Sequence, residues 1–324
     1  MPGTIWSLPN FAGELFTADA INTPFLSMIG GLTGGGKTTE NFEFPTSSEY
    51  AFPAAAQPNI TETASLTAPV VVAPVAPPGG PVQNQNVVRT QVTNVTQIFQ
   101  EAILLSYVKL SNMGRMSGLN TAGQTNNVAD ELAWQQEQKL KKIARDVEFS
   151  FIQGTYNLAA NQNQANRTRG MVAACALAGG TVQNGQGNQL SLPLMQALFL
   201  SMFNAGASFS NLVLYVGGAL KQRISALYGF APTDRNVGGV NIEQIETDFG
   251  PIGIVLSRFA PANTVLAIEV SVCAPVFQPV PGKGVLFYEP LSKTGASESG
   301  QIFGQIGLDH GPAFMHGVLS NVTA

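Results

Sequence analysis

At 324 residues and 44% hydrophobic content, the chain can bury a sizeable core and is too apolar to be globally disordered. A net charge of −4 and a pI near 5.2 exclude a protein that grips nucleic acid through a basic surface. Only 11% of residues are charged, against about a quarter in an ordinary soluble domain. Nine charges crowd between Asp130 and Glu148, none falls in 170–220, and Arg89 stands alone between Glu62 and Glu101. Interface cores are depleted in charge, so these uncharged stretches are expected to meet further copies of the chain.

Residues 1–58 read as an irregular arm. Pro2, Pro9, Pro24, Pro45, Pro53 and Pro58 forbid long helices, and 41–44 alternates like a short strand. The start, MPGTIWSLPNFAGEL, has neither the basic nor the continuous apolar region of a signal peptide. Residues 60–100 read as one long hairpin: 60–67 extended, a Pro/Gly tip at 69–82, and a return over 87–99 carried by Val88, Thr90, Val92, Val95 and Ile98. A lone two-stranded hairpin is marginal in water, so this one is expected to lie on a partner or inside a larger sheet.

The clearest helix is 127–154. Leu132, Leu140, Ile143, Val147 and Phe151 form one stripe, and Glu137–Lys141 and Lys142–Asp146 are i,i+4 pairs. At 1.5 Å per residue it would be a spine of roughly 40 Å. Beyond the loop 161–169, helices are expected at 191–204 and 218–227. Strands are expected at 211–216, 242–247, 253–257 and 265–272, with Gly-punctuated strands to the end. Gln196, Asn204 and Asn211 interrupt the uncharged region before about 18 apolar residues accumulate, so no membrane-spanning helix is expected.

Chemistry-bearing motifs are few. Residues 31–38 spell G-x4-G-K-T, a phosphate-loop string that would use Gly36, Lys37 and Thr38. That motif needs a buried strand before it and a helix after it. Here TTENFEFP follows, extended and broken by Pro45. His310 and His316 read as ordinary sheet residues, and Cys175 and Cys273, in apolar runs, as buried thiols. No catalytic constellation, metal-ligand spacing or cofactor motif is visible, so no enzyme, cofactor or metal is expected. Arg167 and Arg169 could touch polymer phosphate or a neighbouring subunit.

Three segments taken together, NVTQIFQEAILLS (94–106), ELAWQQEQKLKKIARDVEFSFIQGTYN and RTRGMVAACA, resemble the major capsid proteins of tailed bacteriophages of the SU10-like group, which have the HK97 fold. IETDFGPIGIVLSRFAPANTVLAIE (245–269) and EPLSKTGASESGQIFGQIGLDHGPAFMHGVLSNV agree with that family's later strands. The resemblance covers about 90–324.

The resemblance implies an α+β HK97-like fold. Its parts would be an N-terminal arm at 1–58, an extended E-loop hairpin at 59–104, a P-domain at 105–184 with its spine helix, an A-domain at 185–265, and strands at 266–324 returning to the P-domain. It implies a non-enzymatic subunit that assembles in the host cytoplasm into hexamers and pentamers of an icosahedral shell around double-stranded DNA. Portal, separate scaffolding and decoration proteins would be its partners, and no membrane is involved. Arg89, Val92, Val95, Arg167 and Arg169 are the candidate intersubunit residues. The nearest rival is the shell of an HK97-fold nanocompartment; a phosphate-loop NTPase is the rival from another class.

Overall fold

The computed structural model describes residues 23–32, 36–50, 55, 57, 59–66, 89–110, 131–228 and 244–324. The expectations for 1–22, the hairpin tip at 69–82 and the helix start at 127–130 lie outside the described residues. Two compact units are present, Met1–Phe44 with Asn94–Ala324, and Pro45–Thr93.

In chain order, α1 (Pro24–Met28) begins on proline, where the missing N–H is no loss. Strands β1 (Lys37–Thr38) and β2 (Glu43–Tyr50) follow. The stretch 60–67, read as extended, instead contains a helical turn, α2 (Glu62–Ser65). The Thr61 hydroxyl accepts from the Ala64 N–H at 3.2 Å, a local cap that overrides the β-branched composition. Strand β3 (Arg89–Val95) pairs with β2, so the return strand finds its partner at 43–50 rather than at 60–67. Within the smaller unit, the Thr46 hydroxyl donates to the Val92 carbonyl at 3.1 Å.

In the larger unit, β4 (Gln97–Ser106) runs into α3 (Tyr107–Leu110), and the spine is α4 (Glu131–Gln153), about 35 Å long. Then come α5 (Met171–Cys175), β5 (Thr181–Asn184) and α6 (Leu192–Ala205). Helix α6 stops at Gly206, whose φ of +93° lets its N–H reach back to the Met202 and Phe203 carbonyls. Next are β6 (Leu212–Val216), α7 (Gly218–Leu227), β7 (Gln244–Thr247), β8 (Gly250–Leu256) and β9 (Val265–Glu269). Strands β10 (Ala274–Phe277), β11 (Leu286–Pro290), β12 (Ser297–Asp309) and β13 (Gly317–Ser320) complete the fold.

Two sheets organise this unit. In the first, β12 has β4 along one edge and β11 then β10 along the other, all antiparallel to it, with β1 parallel to β10. The second has the order β5-β13-β9-β6-β8-β7. Every residue of β6 and β9 is buried, and alternation divides them between two cores. Val213, Tyr215, Leu266 and Ile268 join α1, α4 and the first sheet. Leu212, Leu214, Val216, Val265 and Ala267 join α6 and α7.

The expected α4 stripe holds at Ile143, Val147 and Phe151, all buried. Leu140 departs from it. At 40% exposed, it borders a cavity of about 610 Å³ shared with Leu32, Phe277, Leu286 and Tyr288. Glu148 lies on the buried side of α4, where its carboxylate accepts from the N–H groups of Phe25 (3.0 Å) and Leu26 (2.7 Å) and so holds the start of α1. Burial pushes this carboxyl above its ordinary range, against the two N–H donors that favour its charge. The Phe25 ring stands edge-on to Tyr215 (5.5 Å) and Phe151 (6.5 Å).

Past Ile306 the β4 ladder ends, and side chains take over the exposed edge of β12. Fully buried Asn94 donates to the carbonyls of Leu308 (2.7 Å) and Arg169 (3.2 Å) and accepts from the N–H of Arg169 (2.8 Å) and Val95 (2.9 Å). Its neighbour Thr168 accepts from the Leu308 N–H at 3.1 Å. Asn94→Ala would orphan several of these buried groups at about 1–3 kcal/mol each. We predict a loss of about 3 kcal/mol or more in urea unfolding of the unassembled subunit, with no rescue by Asn94→Asp, which lacks the donors.

Candidate functional site

The outward face of the first sheet is the surface best suited to meet another protein. Register places Ile98, Gln100, Ala102 and Leu104 of β4 beside Gln305, Phe303, Gln301 and Ser299 of β12, with Phe287 of β11 beyond. The opposite face, with Phe99, Ile103, Ile302 and Ile306, is buried in the core. Ile98 and Leu104 are 58% and 69% exposed, well beyond what strand residues show when a layer covers them. Gln100 donates to Gln301 at 2.7 Å, and the Phe287 and Phe303 rings sit 5.8 Å apart. Across these positions of β4 and β12 there is no ionisable side chain. Over β4 and β12 such a face loses little on desolvation, and the charges at its β11 border, Glu289 beside Gln301 and Lys283 over the Phe287 ring, are paired with each other.

Helix α6 presents a second surface of the same kind. It has no charged residue, and Leu200 and Phe203 are 52% and 56% exposed. Phe203 leans on Phe249, which stacks on Phe209. Both surfaces were missed as specific sites in the sequence. The signal available was the absence of charge, which marks a region but names no residue.

The sequence-derived contact candidates scatter. Arg89 is exposed and Val92 half-buried. Val95 is fully buried in its own chain and has no surface to offer a neighbour. Arg167 is exposed and pairs its backbone with Asn157, closing the 157–167 loop. Arg169 is turned inward, its guanidinium 4.3 Å from the Tyr156 ring centroid, and burial lowers its pKa.

Charges elsewhere are largely answered within the chain. Lys139 (2.8 Å) and Lys142 tie α4 to Glu101 of β4, while Lys141–Glu137 and Lys142–Asp146 are the expected i,i+4 pairs. Burial would push the Glu101 carboxyl up, but the two ammonium groups hold it below its ordinary value.

The phosphate-loop string is something else entirely. Lys37 and Thr38 form β1, a strand and not the start of a helix. The Lys37 ammonium lies 2.5 Å from the Asp309 carboxylate on β12, and a Cβ at Gly36 would collide with the Phe277 ring. Gly36, Lys37 and Thr38 are therefore packing and pairing residues, which overturns the NTPase reading. His310 and His316 are buried, and burial lowers both to about 4. Cys175 and Cys273 are free buried thiols, with Cys175 pushed up to about 12. Among the described residues no cluster could hold a metal ion, and no helix is long and apolar enough to cross a membrane.

Comparison with solved structures gives the same fold in several capsids. The Cyanophage A-1(L) capsid subunit is 12% identical with a TM-score of 0.66, covering 98% of this chain and 98% of that one. A native GTA particle capsid is 12% identical, TM-score 0.58, over 99% and 97%. The SrpI encapsulin of Synechococcus elongatus is 11% identical, TM-score 0.56, over 96% and 93%. Comparison with curated proteins finds no match. At these identities the likeness establishes the fold, an α+β HK97-like capsid fold. The sequence matches the SU10 major capsid protein family over residues 2–323, which is nearly its whole length. The uncharged outward faces, the capsid fold and that match lead to one conclusion: the chain belongs to the SU10 major capsid protein family and is a structural subunit of a viral capsid.

Proposed function

We propose that the chain has no catalytic role and assembles as hexamers and pentamers into an icosahedral bacteriophage shell around double-stranded DNA, in the host cytoplasm. The observation that carries the assembly reading is the charge-free outward face of β4 and β12, with Ile98 and Leu104 open to solvent in the lone subunit. In this reading α4 and the first sheet apart from β4 form the P-domain, the second sheet with α6 and α7 forms the A-domain, and residues 59–104, most of β4 among them, form the E-loop. Arg89, Val92 and Arg167 supply peripheral subunit contacts. Genome contact is sparse and blind to sequence, in keeping with the net charge of −4. Portal, scaffolding and decoration proteins complete the particle.

Many copies repeating modest contacts hold a closed shell through multivalency, without any single strong bond. A second reading, a nanocompartment shell, is favoured by the encapsulin likeness alone.

Electron microscopy and mass photometry of the purified native protein should show closed polyhedral particles of megadalton mass. A stable monomer would sink the assembly reading. Nucleic acid inside the particles distinguishes the virus from the nanocompartment, which would instead hold a protein cargo. Leu104→Glu should cut particle yield about tenfold or more while shifting subunit stability by only about 0.5 kcal/mol, since it buries a charge only on assembly. Deleting residues 69–82 should impair assembly more than subunit folding, as read by particle yield against the subunit's thermal unfolding.

A further inference from the structure

The only two histidines of the chain sit at one place, the seven residues that carry it from β12 in the first sheet to β13 in the second. Both are wholly buried. His316 Nε2 donates to the His310 carbonyl at 2.6 Å, closing residues 310–316 end to end, and its Nδ1 accepts from the Glu269 N–H at the end of β9 (3.3 Å). The His316 carbonyl receives the Thr181 N–H at the start of β5. His310 Nδ1 donates to the Gly311 carbonyl at 2.7 Å, and its Nε2 is buried with no partner among the described residues.

This arrangement tolerates only neutral rings. A proton on His316 Nδ1 would set one donor against the Glu269 N–H. A proton on His310 Nε2 would create a buried donor with no acceptor, and a positive charge beside Arg169. The neighbouring acids are already engaged. Asp309 holds Lys37 and the Gly311 N–H, and the Glu269 carboxylate takes the Asn211 N–H and the Ser271 hydroxyl. The remaining titratable neighbour, the Cys273 thiol, donates towards the Glu269 and His310 carbonyls.

We propose that residues 310–316 form an acid-released catch between the two sheets: neutral imidazoles keep it closed, and protonating either one frees β13 and the end of β9 from β12 while the β4–β12 pairing stays intact. The sign follows from linkage. A histidine whose folded value lies below its unfolded one contributes stability that is complete above about 6.5 and is lost as pH falls towards about 4. Each ring thus favours the open form by up to about a hundredfold at the acid end.

The test is hydrogen exchange by mass spectrometry on the full-length chain, corrected for the intrinsic pH dependence, from neutral pH to about pH 4. Protection at 265–272 and 310–320 should fall at least about tenfold while β4 and α4 keep theirs, and the His310→Gln, His316→Gln double variant should lose this acid response. An equal response in the double variant, or a uniform loss across the chain, would overturn the proposal. Should that variant fail to fold, NMR titration of the two histidine rings in the wild-type subunit decides. Midpoints near 4 that coincide with the local opening support the catch; midpoints near 6.5 without opening refute it.

Discussion

The fold depends on a pair of strands that cannot face water on either side. β6 and β9 are apolar at nearly every position, so alternation sends half their side chains each way and each half must be covered. The spine helix and first sheet cover one face; α6 and α7 cover the other. The two cores therefore share a wall. Tyr215 shows how far that wall reaches: from the middle of β6 it touches Phe25 of α1 and donates its hydroxyl to Met28.

Once the interior is settled in this way, the distribution of charge becomes intelligible. The crowded charges of α4 are consumed locally, on Glu101 and on i,i+4 partners one turn away. Lys37 is matched by Asp309. Uncharged surface is left on the outer side of β4 and β12 and along α6, where a neighbouring protein can be accommodated without desolvating an ion. A subunit that must associate many times over needs surfaces of this kind, since unpaired buried charge would penalise every copy of the contact.

Local features were the most legible. The α4 stripe, the buried run of β6 and the helix at 192–205 follow from periodicities of 3.6 and 2 that need no tertiary knowledge. The hairpin was misjudged because β-branched residues at 60–67 outweighed the capping signal of Thr61, and because a strand carries no mark of which partner it will choose. Glu148, Asn94 and Thr168 were invisible for a different reason. Their value lies in partners 123, 214 and 140 positions away, and a polar residue in a sequence does not say whether it will face water or a backbone group. The phosphate-loop string failed in the opposite way, since its residues matched the motif but the chain comes to it from the helix α1 and leaves it along β1 towards β2, the reverse of strand-then-helix.

The order of strands along the chain has a consequence for synthesis. β12 is the central strand of the first sheet and β13 lies inside the second, between β5 and β9, yet both follow every other strand among the described residues. Emerging from the ribosome, the chain can form α4, α6 and the β6–β8 pair early. It cannot close either sheet, and so cannot present a finished outer face, until these last strands arrive. The outward face of β4 and β12 therefore exists only once β12 has been made, however early the helices and the β6–β8 pair take shape.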